Sequence, residues 1–254
     1  MNDKKAVLTL YKNRGETPLE CIKRFKSDNP EYLEEKMTYA GRLDPLAEGL
    51  LLVLVGEECK NKDKYLGVDK EYEVDVIFGF STDTYDVLGV VKSKVCKVYK
   101  VNTEEIQKIM QSFVGKFSQK YPAYSSKTIN GKSLFSLAKS AELDEDEIPT
   151  KDVEIKSIEQ IGEREISKSE LEKYIIDSIN LVKGDFRQKE ILKGWRSVFA
   201  SEAKQSRSYQ IISLKVSCTS GTYMRSLAHT IGEKVGIPAL ALNIKRVKVG
   251  DYHI

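Results

Sequence analysis

Six consecutive apolar residues, Leu50 to Val55, follow directly on a polar segment that ends at Gly49. A short continuous apolar run bounded by turn residues is typical of a strand that is buried on both faces. We therefore predict a buried strand over residues 50–56. The polar segment before it, Gly41 to Gly49, then lies at the mouth of that strand.

Asp44 is the only acid in that segment that is flanked by an apolar residue and a proline, Leu43 and Pro45. Because proline restricts the preceding residue to extended backbone, we expect Asp44 on a defined loop rather than on a helix. An acid held in this way is a candidate nucleophile or proton-transfer group. The alternative is a turn aspartate that accepts hydrogen bonds from nearby backbone amides, and the spacing leaves both interpretations open.

The composition is that of an ordinary soluble globular protein, with 254 residues, 41% hydrophobic and 31% charged. No apolar run approaches the roughly 20 residues that span a bilayer, and the N-terminus lacks the apolar stretch of a signal peptide. The cysteines are scattered without a CxxC pair, and there are only two histidines. We therefore expect no zinc site and reduced thiols in a cytoplasmic protein. The cysteines are Cys21, Cys59, Cys96 and Cys218.

Positive charge is concentrated in the last part of the chain. The net charge is only +3, yet residues 181–254 contain 13 Lys and Arg against 5 Asp and Glu, whereas residues 142–147 are almost entirely acidic. A basic C-terminal third suits a polyanion such as nucleic acid. The alternative is that these lysines merely solvate strands and helices.

Short strand and helix patterns alternate along the chain, which favours an α+β fold with a mixed, largely antiparallel central sheet flanked by helices. We expect one domain over residues 1–254, with a helical insertion at about 168–207 whose polar end, Ser201 to Arg207, is mobile. Further strands are predicted over 72–79, 212–218 and 242–249, and helices are predicted to open at the caps Thr17, Thr103 and Ser167 and after Thr222, the last ending at Gly236.

Four other side chains could take part in chemistry. Arg225 lies in the first turn of a predicted helix, where it could bind a carboxylate in bidentate geometry and keep it ionised, or form a surface ion pair. Tyr72 could pack in the core or stack on a planar base. Lys12 could contact a phosphate or be a solvated lysine. His229, one turn after Arg225, is most simply a histidine on the helix surface.

Four sequence blocks together resemble the bacterial tRNA pseudouridine-55 synthases (TruB type). They are GRLDPLAEG at 41–49, KEYEV and STDTYD within 70–86, PAYSSK and GK within 122–132, and CTSGTYMRSL at 218–227. The blocks occur in the family's order and cover most of the chain outside about 165–207. The resemblance implies the pseudouridine synthase fold and an isomerase that flips a uridine out of the T-loop of tRNA.

The resemblance also implies roles for individual residues. Asp44 would be the nucleophile, attacking the sugar C1′ or the base C6, and Arg225 would orient it. Tyr72 would stack on the base and assist proton removal, Lys12 would lie near the active site, and Ile244 would line the pocket. No metal or organic cofactor is implied, and we expect a cytoplasmic monomer that acts on tRNA. The alternatives are a non-catalytic RNA-binding or tRNA-folding protein and a synthase acting on other RNA uridines.

The chain departs from the family pattern in three places. Lys12 to Gly15 lacks the family's proline, and Tyr39 replaces a histidine implicated in base flipping. The C-terminal RNA-binding domain of many relatives is expected to be absent, while the insertion at 168–207 is additional. We expect this insertion to supply part of the missing tRNA contact and its deletion to leave the fold intact.

Overall fold

The computed structural model describes residues 5–95, 100–200 and 208–254. Its strands are β1 Val7–Lys12, β2 Met37–Ala40, β3 Glu48–Val55, β4 Lys70–Phe78, β5 Phe80–Thr82, β6 Val91–Lys94, β7 Gly115–Lys120, β8 Thr128–Ile129, β9 Lys132–Ser133, β10 Thr150–Ser167, β11 Ser208–Cys218, β12 Ala239–Val249 and β13 Tyr252–His253. Its helices are α1 Pro18–Asp28, α2 Lys62–Leu66, α3 Thr103–Gln111, α4 Leu134–Lys139, α5 Lys168–Leu181, α6 Gln188–Ala200 and α7 Met224–Val235, with 3-10 turns at Pro30–Tyr32, Gly56–Asn61 and Glu145–Glu147.

One large sheet organises the described residues. Its main order is β1-β3-β12-β4-β11-β10-β7, with β2 added to β3 and β13 added to β12. Every pairing in it is antiparallel except the short parallel contact between β3 and β12. The α+β class and the mixed, largely antiparallel sheet predicted from the sequence are confirmed.

Most helix boundaries follow the predicted caps. Thr17 and Ser167 each form a capping box, in which the hydroxyl and a glutamate three residues later satisfy reciprocal backbone amides. Gly236, with φ +76°, ends α7 in the left-handed conformation. The predicted cap at Thr103 is wrong by one residue, because the Asn102 side chain accepts the Glu104 amide and Thr103 is already helical.

Two hydrophobic cores cover opposite faces of the sheet. Because successive strand residues point to opposite faces, Val76 of β4 packs in the core beneath α3 and α7, whereas Ile77 packs in the core beneath α5 and α6. Ile212 and Ile211 of β11 divide in the same way. None of the helices in these described ranges is both long and apolar enough to cross a membrane.

Within the predicted insertion, the structure has the helices α5 and α6, and both contribute to one of these two cores. Ile175 of α5 and Trp195 and Phe199 of α6 are buried against the sheet. In contrast to the expectation from sequence, this packing predicts that deletion destabilises the fold, because deletion would expose one apolar face of the sheet. The predicted mobile end, 201–207, lies outside the described residues.

Candidate active site

Asp44 lies on the loop between β2 and β3, as its neighbour Pro45 predicted. Leu43 is buried in the core beneath α3 and α7, and Leu46 is buried in the opposite core. The Ala47 amide donates to the Asp44 carbonyl at 3.1 Å and closes the turn. The loop is therefore anchored in both cores, while the Asp44 side chain keeps 34% of its surface exposed.

Lys12 binds the backbone of this loop from the interior of the protein. Its Nζ donates to the carbonyls of Ala47 at 2.6 Å, Asn13 at 3.1 Å and Pro45 at 3.2 Å, and the side chain is fully buried. Burial lowers its pKa from 10.5 to about 8. The expectation of a solvated lysine is therefore wrong: Lys12 lies beneath the Asp44 loop, and backbone carbonyls take up the donors with which it would bind a phosphate.

Arg246 supports the loop from the other side, and sequence reasoning missed it. Its Nε donates to the Leu50 carbonyl at 2.9 Å and its Nη2 to the Gly41 carbonyl at 3.1 Å. The side chain is 1% exposed. A sequence signal existed. Arg246 comes two residues after Ile244 in β12, at a position where the alternating strand pattern would normally have an apolar residue.

The close approach of β3 to β12 requires Gly49. Its φ is +104°, and a Cβ there would lie 2.3 Å from the Arg246 carbonyl oxygen. Glycine is thus required both for backbone conformation and for space. This junction brings the Asp44 loop from the first half of the chain against β12 from the second.

Arg225, at the start of α7, makes the direct contact with Asp44. Its Nε donates to Asp44 Oδ2 at 2.7 Å, Nη1 donates to the Thr84 carbonyl at 2.8 Å, and Nη2 donates to the Tyr124 carbonyl at 3.4 Å. The predicted pairing exists, but the bidentate geometry is wrong because the two Nη groups are engaged by carbonyls. Burial acts to lower the pKa of Arg225, yet the carboxylates of Asp44 and Asp86 raise it overall, so the guanidinium remains charged.

Asp86 is a second carboxylate beside Arg225, 3.8 Å from its Nε. It accepts hydrogen bonds from the Thr84 hydroxyl at 2.6 Å and from the Leu88 amide at 2.9 Å. Burial raises its pKa, an effect that Arg225 and these donors partly offset. Asp86 therefore faces Arg225 from inside the protein, whereas Asp44 faces the cleft.

A cleft of about 730 Å³ opens above Asp44. Tyr72, Ile244 and Tyr39, which the sequence proposed for the site, all line it, whereas Lys12 does not. Burial raises the pKa of Tyr72, so its hydroxyl is protonated at neutral pH. This favours Tyr72 as a stacking surface over Tyr72 as a ready base.

The mouth of the cleft is aromatic and basic. Tyr39 accepts a hydrogen bond from Arg42 Nη2 at 3.3 Å, and Lys62 Nζ lies 5.3 Å from the centre of its ring. Flat rings beside cations are the features with which proteins bind unpaired bases and their phosphates. Tyr39 therefore combines an aromatic ring with two neighbouring cations at the mouth of the cleft.

A second cavity, about 910 Å³, lies beyond Tyr124. There Tyr85 stacks on His229 with ring centres 4.1 Å apart, and burial lowers the pKa of the histidine. His229 is partly exposed and pairs with Glu233 on the same helix, as expected of a histidine on the helix surface, and the stacking on Tyr85 is an additional contact. Of these two cavities, only the first is lined by Asp44. Within the described ranges, no cluster of three or more His, Cys, Asp or Glu side chains could hold a metal ion.

Solved structures identify the class of fold. The chain is similar to a chain of a Cbf5-Nop10-Gar1 complex, with a TM-score of 0.58 and 18% identity, covering 97% of this chain and 49% of that one. It is also similar to a chain of an archaeal box H/ACA sRNP Nop10-Cbf5 complex, with a TM-score of 0.54, 17% identity and coverage of 97% and 48%. The fold is that of the pseudouridine synthases, as predicted.

Sequence comparison identifies the family within that class. The N-terminal domain of the TruB family pseudouridylate synthases matches residues 31–175. Proteins named tRNA pseudouridine synthase B are 30% identical over 252 residues in Ligilactobacillus salivarius, covering 98% of this chain and 68% of that protein, and 31% identical over 249 residues in Thermosipho melanesiensis, covering 97% and 64%. The chain belongs to the TruB family of pseudouridylate synthases. It spans about two thirds of the length of these relatives.

Proposed function

We propose that this chain is a tRNA pseudouridine synthase that converts uridine 55 of the T-loop to pseudouridine, with Asp44 as the nucleophile. The observation that carries the proposal is the 2.7 Å contact between Arg225 and an otherwise accessible Asp44, at the floor of a cleft that Tyr72 also lines. A carboxylate that a permanent cation holds in place is oriented for attack.

The reaction needs no co-reactant. Asp44 attacks the sugar C1′ or the base C6, the bond between N1 and C1′ breaks, and the base turns within the cleft. A bond then forms between C5 and C1′, the C5 proton is lost, and N1 takes up a proton. Asp44 is released unchanged, so the same atoms that enter the site leave it.

The cleft residues keep the detached base in place during that turn. Tyr72 would stack on the base, Ile244 would form the apolar wall, and Tyr39 would contact the nucleotide at the mouth. Exclusion of water matters because a detached uracil would otherwise escape and an open C1′ would be hydrolysed. Lys12 would act through the loop, by fixing the carbonyls on either side of Leu46.

The tRNA would be held by phosphate contacts around the mouth of the cleft. Arg42 and Lys127 are exposed there, beside cleft residues Tyr39 and Ser126. Such contacts supply affinity without reading sequence. We further propose that residues 1–254 form one catalytic domain, and that the protein is a cytoplasmic monomer.

The test is to incubate the protein with an unmodified tRNA transcript and map pseudouridine at nucleotide resolution. We expect one new pseudouridine, at position 55, and none in a matched transcript with cytidine at that position. Product at other uridines would replace the proposed specificity. Tight binding without any product would instead favour a non-catalytic RNA-binding protein.

A further inference from the structure

The turn between α5 and α6, residues 182–187, brings the insertion to the edge of the active-site cleft. Phe186 lines the cleft and packs edge-on against Phe135, with ring centres 5.6 Å apart. Phe135 in turn packs edge-on against Tyr124 at 5.9 Å. The insertion thus forms part of the cleft wall, although it lies outside the four family-like sequence blocks.

Arg187, the next residue, joins two other segments of the site. Its Nη1 donates to Asp83 Oδ2 at 2.8 Å and its Nη2 to Asp83 Oδ1 at 3.2 Å, a bidentate pair. Its guanidinium carbon lies 4.0 Å from the centre of the Tyr124 ring. The Arg187 and Asp83 side chains are only 13% and 12% exposed, so water screens this pair weakly.

The same two segments hold Arg225. The Nη groups of Arg225 donate to the carbonyls of Thr84, which follows Asp83, and of Tyr124, whose ring Arg187 covers. Arg187 therefore contacts the side chains of Asp83 and Tyr124. Carbonyls of the same two segments hold Arg225. Arg225 in turn fixes Asp44.

The turn itself is firmly held. Gln188 accepts the Phe186 amide at 2.9 Å and donates to the Gly184 carbonyl at 2.7 Å. Arg187 has φ +64°, a conformation that non-glycine residues adopt only when their surroundings impose it. Trp195 of α6 also donates a hydrogen bond from Nε1 to the Val87 carbonyl at 3.2 Å. Val87 lies in the loop that contains Asp83.

We propose that Arg187 is a positioning residue: it clamps the Asp83 and Tyr124 segments and thereby holds Arg225 in the orientation that fixes Asp44. The effect on catalysis rests on the proposed function, whereas the effect on Arg225 does not. This role gives the insertion a part in catalysis that is separate from the tRNA contact expected from sequence.

The experiment compares wild type with Arg187→Ala, Arg187→Lys and the control Arg196→Ala, which removes an exposed arginine from the same helical hairpin. Single-turnover pseudouridine formation and tRNA affinity are measured well below each melting temperature. We expect Arg187→Ala to slow the reaction at least about tenfold, with affinity within about twofold. Arg187→Lys keeps the charge but loses the bidentate fork, so it should recover only part of the rate.

A second measurement needs no activity: hydrogen exchange of the Arg225 Nε–H, followed by NMR in the RNA-free protein. We expect exchange to be faster in both Arg187 variants than in wild type and Arg196→Ala. Unchanged exchange together with unchanged rate in a folded Arg187→Ala protein would overturn the inference. A wild type that makes no pseudouridine would overturn the proposed function instead, and the exchange data would still decide the role of Arg187.

Discussion

Three buried cations surround one accessible carboxylate. Arg225 contacts Asp44 directly, whereas Lys12 and Arg246 bind the backbone of its loop. Burying a charge is costly unless hydrogen bonds replace its water, and each of these cations has two or more oxygen partners. The result is a loop fixed by its backbone carbonyls, on which the Asp44 side chain stays partly exposed to the cleft.

The buried Lys12 predicts a particular pH dependence of stability. Its pKa is about 8 in the folded protein and 10.5 when unfolded, so between these values the unfolded chain binds more protons and the free energy of unfolding rises with pH. This increase in the free energy of unfolding is complete above pH 10.5, and it is lost once the pH has fallen below 8. Relative to Lys12→Met, wild type should gain about 2–3 kcal/mol between pH 7 and pH 10.5.

Urea unfolding at a series of pH values measures this difference. Lys70, whose pKa burial also lowers to about 8, titrates in the same range, and subtracting the Lys12→Met curve removes its contribution. Lys127→Met, at an exposed position, should give a curve parallel to wild type. A difference between wild type and Lys12→Met that stays constant with pH would show that Lys12 is not a buried cation.

The sequence predicted the pairing of Asp44 with Arg225 better than it predicted the residues that support this pair. Asp44 was recognisable from its proline and apolar neighbours, and Arg225 from its place at the start of a helix and from the family motif. Arg246 was not, because a basic residue in a strand is buried only if the register brings carbonyls to it. That register depends on Gly49 and the parallel junction of β3 with β12, which pairs distant parts of the chain.

At the scale of elements, the inserted hairpin completes the fold. Its helices were predictable, since a capping box and an apolar stripe are local signals. Its docking site was not, because several predicted strands had apolar faces that it could cover. The structure places it on the face formed by Ile77, Ile211 and Leu240, with Leu46 of the Asp44 loop in the same core.

Trp195 tests whether the hairpin is integral. It is 1% exposed, packs against Phe80 and Phe199, and donates to the Val87 carbonyl. We expect Trp195→Ala to lower the free energy of unfolding by about 3–5 kcal/mol and Trp195→Phe by about 1–2 kcal/mol, since the phenylalanine leaves the buried carbonyl unpaired.

Denaturant unfolding checks these values, with Arg196→Ala on the exposed face of the same helix expected to stay within about 0.5 kcal/mol of wild type. A cost below about 1 kcal/mol for Trp195→Ala would mean that the hairpin is a peripheral addition, as the sequence first suggested.

At the scale of the whole molecule, the basic C-terminal third contributes less free charge than its composition suggests. Lys215 and Lys248 pair with Glu71, and Lys245 pairs with Glu73, across neighbouring strands of the sheet. Arg225 and Arg246 are buried. Composition therefore overstated this region as a surface for a polyanion, because much of its charge is engaged within the fold.

Distant parts of the chain converge on one carboxylate. The loop before β3 presents Asp44, α7 supplies Arg225, and β4 and β12 supply Tyr72 and Ile244. The resemblance of four separate blocks to one family predicted this convergence, which no single block could have done. The resemblance could not predict the position of the insertion, because the insertion lies outside those blocks.

The most direct test of Asp44 as the nucleophile is the single-turnover rate of pseudouridine formation in Asp44→Asn, measured beside its affinity for tRNA. Asp63→Asn, which removes an exposed carboxylate on α2, is the matched control and should behave as wild type. We expect Asp44→Asn to lose at least about a thousandfold in rate while binding tRNA within about threefold of wild type. A variant that retains its rate would contradict the assignment of Asp44.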